Sequence, residues 1–206
     1  MDLQIIDCEQ GSDMWLRARC GIPTASRFDA VMAKGRAGGE SKTRRSYMLD
    51  LLGERLTGQP MESYTNAHME RGKAMEAEAR DLYAMVRGVE PKQVGFMRRG
   101  SAGASPDSLI GTDGVLEIKT KLPRLQIEVL LANRLPPEHV AQVQGQLWIS
   151  GRQWVDFVSY WPGLPLFVTR VHRDETYIAT IAAEVAEFLA EMAAVTAQVE
   201  NYRIAA

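Results

Sequence analysis

Ser105-Pro106-Asp107-Ser108-Leu109-Ile110-Gly111-Thr112-Asp113-Gly114-Val115-Leu116-Glu117-Ile118-Lys119 is the stretch whose reading decides the fold. Gly-Thr-Asp-Gly supplies turn chemistry between two apolar runs, which is the pattern of a β-hairpin. On its second strand Val115, Glu117 and Lys119 share one face, while Leu116 and Ile118 point to the other. A hairpin over 104–121 brings Asp107 back beside Glu117, so two carboxylates and an ammonium converge. The polar face of that strand is expected to look onto solvent or a cleft. Acids so placed suit Mg²⁺, which prefers oxygen ligands. A lysine beside them can orient a water or help deprotonate it, and these are the parts that phosphodiester hydrolysis needs. The same residues also read as a common Asp-Gly turn and a solvated Glu-x-Lys face, because short motifs often match by chance.

At 206 residues the chain fits one domain with a core of useful size. Its 46% hydrophobic and 24% charged residues are ordinary for a globular protein. A net charge of −2 excludes a generally basic nucleic-acid coat, so any DNA contact must come from local patches. The two cysteines, Cys8 and Cys20, form no CxxC or Cys/His cluster, which argues against zinc and iron–sulfur sites. Scarce cysteine and no signal-peptide pattern point to the cytoplasm. No apolar run reaches membrane-spanning length.

Outward from the hairpin, periodicity predicts a strand over 3–6 and a short helix over 14–19 capped by Ser12-Asp13. Thr24-Ala25-Ser26 opens a helix to Ala33, and 34–45 reads as a basic loop with Lys34, Arg36, Lys42, Arg44 and Arg45 against Glu40. Helices follow over 46–57 and from Asn66 to 87, the second carrying Glu76. A strand over 93–99, helices over 123–134 and 138–149, strands over 154–160 and 166–171, and an alanine-rich helix over 176–200 complete the chain. The order implies a single α/β domain over 1–206, a central mixed sheet flanked by helices.

Several stretches together carry a resemblance. They are Glu9-Gln10-Gly11-Ser12-Asp13-Met14-Trp15, Thr24-Ala25-Ser26, Arg71-Gly72-Lys73-Ala74-Met75-Glu76 with Ala79-Arg80, Ser105-Pro106-Asp107, Leu116-Glu117-Ile118-Lys119 and Ala141-Gln142-Val143-Gln144. In order and spacing the chain resembles the bacteriophage lambda exonuclease (YqaJ-type viral recombinase) family of the PD-(D/E)xK nuclease superfamily. The resemblance implies a restriction-endonuclease-like core and a Mg²⁺-dependent exonuclease. Such an enzyme digests one strand of linear duplex DNA 5′→3′ from phosphorylated ends, leaving 3′ overhangs for recombination by single-strand annealing. It implies that Asp107, Glu117 and the Ile118 carbonyl ligate Mg²⁺, with Mn²⁺ able to substitute. Glu76 serves a second ion, and Lys119 positions the attacking water. Arg19, Ser26, Ser105 and Gln142 match positions of a 5′-phosphate pocket, and guanidinium and helix N-terminal groups suit that ligand. Arg124 corresponds to a further phosphate-binding arginine, at a spacing from Glu117 that differs by one residue. Ser108 stands where the family often has Gly. The resemblance also implies a homotrimeric ring around DNA, a single-strand annealing protein as partner, and a phage or prophage origin in a bacterial cell.

Trp15 is expected to stack on a DNA terminus, or to be an ordinary buried aromatic. The basic segment 34–45 is expected to touch phosphates. Two other readings remain: a PD-(D/E)xK endonuclease cutting internal sites, and an inert protein that only binds DNA ends.

Overall fold

The computed structural model describes residues 2–35, 39, 41–61 and 67–205. Asn66 as a helix start, and Arg36 and Glu40 of the basic segment, lie outside those residues. The chain runs through β1 (Leu3–Ile6), α1 (Asp13–Arg19), a 3-10 turn (Ala25–Arg27), α2 (Phe28–Met32), α3 (Lys42–Thr57) and α4 (Ala67–Arg87). Strands β2 (Phe96–Arg99), β3 (Ala102–Ala104), β4 (Ser108–Ile110) and β5 (Gly114–Thr120) follow. Then come α5 (Pro123–Ala132), a second 3-10 turn (Pro137–His139), α6 (Val140–Ser150), β6 (Trp154–Tyr160), β7 (Phe167–His172) and α7 (Glu175–Ala205).

The expected mixed sheet is the four-stranded one, ordered β4-β5-β6-β7. Its β5–β6 pair is parallel and the outer pairs are antiparallel. The hairpin forms as expected, with Ser108 opposite Leu116 and Ile110 opposite Gly114. Gly111 takes a left-handed φ of 49° in its turn, where a side chain would be strained. Strands β1, β2 and β3 form a separate antiparallel sheet. The break falls at Ser105-Pro106, because proline has no N–H with which to continue a ladder.

Helices cover both faces of the mixed sheet. Ala79 and Tyr83 of α4 pack on Leu116, Ile118 and Val158. Val129 of α5 and Val143 and Leu147 of α6 pack on Val115 and Phe157. A third cluster, with Phe28, Met48, Leu51, Met97, Ile149 and Phe188, joins α2, α3, α6 and α7 to the smaller sheet. Double coverage overturns the expectation that the polar face of β5 is open: Glu117 is 2% exposed. Helix α6 lies over it, and α6 also meets α2 closely. A Cβ on Gly145 would sit 2.5 Å from the Phe28 ring.

Helix α3 starts earlier than the sequence suggests. The Ser41 hydroxyl accepts the Arg44 N–H and caps it, which draws Lys42, Arg44 and Arg45 out of a loop and into the first turns. Arg44 donates to the Val31 carbonyl at 3.0 Å, pairs with Glu191 and lies over the Phe188 ring. Lys34 pairs with Glu184 at 2.5 Å. Much of the basic segment is thus tied to α7. Among the described residues no helix is long and apolar enough to cross a membrane.

Candidate nuclease site

Asp107 directly precedes β4, and the hairpin register carries it opposite Glu117. Its Oδ2 accepts the Ile118 N–H at 2.5 Å, so the turn is stitched to the strand through the aspartate itself. Glu117 is held on both oxygens. Oε1 receives the Lys119 ammonium at 2.6 Å and the Gln142 amide at 2.5 Å, and Oε2 receives the Gln146 amide at 2.5 Å. Glu76 approaches from α4, paired with Arg80 one turn further on. Burial, and then the charges of Glu117 and Glu76, hold the Asp107 carboxyl well above its ordinary range. Glu76 is raised too: burial dominates, Arg80 opposes, and Glu117 adds. For Lys119 burial disfavours the charge, yet Glu117, Asp107 and Glu76 outweigh it and raise its pKa.

These groups fit a divalent ion. The donors are oxygens, and burial first, with the neighbouring Glu117 charge adding to it, pushes Asp107 and Glu76 toward protonation, which a bound divalent ion would oppose. Among the described residues no three His, Cys, Asp or Glu side chains converge tightly enough to enclose an ion alone. Asp107, Glu117 and a backbone carbonyl would therefore share it with water, as Mg²⁺ usually does.

A cavity of about 1020 Å³ runs from Asp107 and Glu76 past Trp15, Arg19 and Thr24 to Tyr47. Ser12 caps α1 by accepting the Trp15 N–H, and α1 points Trp15 and Arg19 at this cavity. The Trp15 indole N–H donates to Ser105 Oγ at 2.8 Å. The Arg19 guanidinium stacks on the Trp15 ring, 4.1 Å from its centroid, and reaches Thr24 Oγ1 at 3.4 Å. Thr24 Oγ1 in turn meets Ser26 Oγ at 3.3 Å. Burial lowers the Arg19 pKa, although a guanidinium stays charged.

The structure thus brings together Asp107, Glu117, Ile118, Lys119 and Glu76, and beside them Trp15, Arg19, Ser26 and Ser105. Gln142 is turned onto Glu117. Arg124 is not brought in; it stands on α5, its side chain 79% exposed, paired with Glu128 at 2.9 Å. Sequence reasoning missed Gln146 and Gln10. Gln146 lies four residues after Gln142 on one helix face, a usable signal. Gln10 donates to the Val94 and Pro106 carbonyls at 2.8 and 2.9 Å and so holds the turn that carries Asp107. No pattern within the loop announces that contact.

Fold and acid–lysine cluster together define a class, the PD-(D/E)xK nuclease core. Residues 14–153 match the YqaJ-like viral recombinase domain, and the chain belongs to that family. It is similar to LHK-Exo, an alkaline exonuclease from Laribacter hongkongensis, at 37% identity and a TM-score of 0.85 over 94% of this chain and 98% of that one. A structure of LHK-Exo in complex with dAMP matches equally well. A phage-related exonuclease from Haemophilus somnus 129PT shares the fold, with 15% identity and a TM-score of 0.65 over 86% of this chain and 96% of that one. No curated protein matches the chain.

Proposed function

We propose that this DNA exonuclease degrades one strand of linear duplex DNA 5′→3′ from a 5′-phosphorylated end and leaves a 3′ overhang. The observation that carries the reading is a continuous wall. Arg19 stacks on Trp15, Trp15 bonds Ser105, and Ser105 stands two residues before Asp107. A seat for a terminal phosphate and an acid cluster for cutting are therefore one structure, which suits removal of the end nucleotide. Membership in the recombinase family and likeness to an alkaline exonuclease support it.

The proposed cofactor is Mg²⁺, replaceable by Mn²⁺, with two ions per site held by Asp107, Glu117, the Ile118 carbonyl and Glu76. Bound divalent ions would neutralise charge on the scissile phosphate and make water more acidic. The chain does the rest. Gln142, Gln146 and Lys119 fix the Glu117 carboxylate. The Lys119 ammonium, 2.6 Å from Glu117, orients the attacking water. Arg19, Ser26 and Ser105 grip the 5′-phosphate, and Trp15 offers a face to the terminal base. A homotrimeric ring around the duplex would give processivity by topology, consistent with a net charge of −2. A single-strand annealing protein would take the overhang. The setting proposed is the cytoplasm of a bacterium carrying phage genes.

Linear duplex with Mg²⁺, bearing 5′-phosphate or 5′-hydroxyl ends, tests this beside a closed circle. One strand should disappear, faster from phosphorylated ends, with the circle intact. Cutting of the circle would establish an endonuclease, and binding without cleavage an inert end-binding protein.

A further inference from the structure

A second guanidinium lies along the same cavity. Arg27 ends the 3-10 turn that follows Thr24, and its guanidinium sits 4.6 Å above the Tyr47 ring. Beyond that stack, no hydrogen bond or ion pair holds Arg27 among the described residues. Other arginines are engaged differently. Arg44 and Arg170 also lie over aromatic rings but are ion-paired with Glu191 and Asp156, and Arg55, Arg98 and Arg152 direct N–H groups onto backbone carbonyls. Arg27 repeats the arrangement of Arg19: a guanidinium over an aromatic ring, on a residue that lines the same cavity. Stacking of this kind reduces the freedom that must be lost when an anion binds.

Tyr47 joins the two seats. It is 5% exposed, and its hydroxyl accepts the Thr24 N–H at 3.1 Å. Tyr47 is thus tied to Arg27 through its ring and to Arg19 through Thr24, whose Oγ1 the Arg19 guanidinium reaches at 3.4 Å. The contacts run in sequence from Ser105 through Trp15, Arg19, Thr24 and Tyr47 to Arg27. Along that chain Arg27 comes after Arg19, and both line the cavity that Asp107 and Glu76 also line. Asp50 and Glu54 also line the cavity. The Glu54 oxygens are occupied by the Gly21 and Met61 N–H groups at 2.6 and 3.0 Å.

We propose that Arg27, seated on Tyr47, forms a second phosphate-binding subsite that holds a phosphate group lying beyond the terminal 5′-phosphate. This inference rests on the end-binding reading above. Two sources share that chemistry: the outer phosphate of a 5′-diphosphate end, and a backbone phosphate of the complementary strand.

Binding in EDTA, followed by fluorescence anisotropy, separates them. The probes are duplexes ending in 5′-hydroxyl, 5′-phosphate or 5′-diphosphate, and a 5′-phosphate duplex with methylphosphonates at the complementary strand's terminal linkages. In the wild type one arm should show a preference of roughly tenfold, for diphosphate over monophosphate or for the charged over the neutralised complement. Arg27→Gln should erase that preference, keep the preference for 5′-phosphate over 5′-hydroxyl, and lower the salt slope by about one. Arg27→Lys should restore part of it. If Arg27→Gln leaves both ratios and the slope as in the wild type, the subsite is wrong. If the wild type ignores the 5′-phosphate, the end-binding reading fails, and the complementary-strand arm still decides whether Arg27 holds a phosphate.

Discussion

Asp156 and Glu117 are buried acids on adjacent parallel strands, 0% and 2% exposed and one residue apart in register. Their surroundings make them opposites. Asp156 receives Arg170 on both oxygens at 2.8 Å and the Tyr83 hydroxyl at 2.7 Å. Arg170 is itself stacked on Trp154, 3.6 Å from the ring centroid. Burial pulls the Asp156 carboxyl up, but those bonds outweigh it and hold it below the ordinary aspartate range. One negative charge meets one positive charge. Around Glu117, by contrast, Asp107 and Glu76 share Lys119 and Arg80 with it, and both are forced upward. A balanced buried pair fastens helix and strands together. At Asp107 and Glu76 burial comes first and the neighbouring acids add to it, the kind of perturbation expected at a candidate functional site.

The largest effects should break the two clusters in different currencies. Lys119→Ala removes the water-orienting ammonium and should lower the cleavage rate roughly 10²–10⁴-fold. End affinity should change little in a gel-shift titration, and retained hydrolysis would remove the lysine from the mechanism. Arg170→Ala should leave the rate per folded molecule near wild type but destabilise the protein by about 3 kcal/mol in urea. That is the low end for a broken buried pair, since the Arg170 side chain is 42% exposed. A stability loss under about 1 kcal/mol would mean that water replaces the guanidinium. Asp107→Asn should do the reverse of Arg170→Ala. It abolishes cleavage yet stabilises the metal-free protein by about 1 kcal/mol, as expected where a site is held at the expense of stability. Adding Mg²⁺ should raise the melting temperature of the wild type and not of the variant. Equal metal-dependent shifts in both would remove Asp107 from the ligand set.

How far the sequence discloses this contrast differs between the two acids. The hairpin was legible because Gly111, Asp113 and Gly114 punctuate two apolar runs, and the pairing follows from period two. The Asp107–Glu117 meeting then comes from register alone. Asp156 gave no such sign, because Arg170 and Tyr83 come from β7 and α4 and only tertiary folding brings them together. The expectation that Glu117 faces solvent or a cleft fails because alternation reports polarity and not what later packs on top. Helix α6 covers it, and the side-chain amides of Gln142 and Gln146 make that burial tolerable. The basic segment shows the same limit: its local charge suggested phosphate contact, and nothing in it announced that Glu184 and Glu191, far along the chain on α7, pair with Lys34 and Arg44.

The smallest expected effect is also the most direct measure of balance at Asp156. Because its folded pKa is lowered, its bonds stabilise the protein above the ordinary aspartate value of 3.8, and that contribution is lost as pH falls through the depressed folded value. The sign is therefore fixed: acid removes stability here. Asp156→Asn cannot titrate, so the difference in unfolding free energy between wild type and variant should stay flat from about pH 7 to about pH 5 and shrink below about pH 4. Urea titrations of the metal-free proteins at each pH measure it. A difference that begins to close near neutrality would place Asp156 among the raised carboxyls, and the distinction between the two clusters would be lost. One that stays constant at the lowest pH where the fold persists would mean that the Asp156 pKa is the same folded and unfolded, so that Arg170 and Tyr83 give the charged form no net stabilisation.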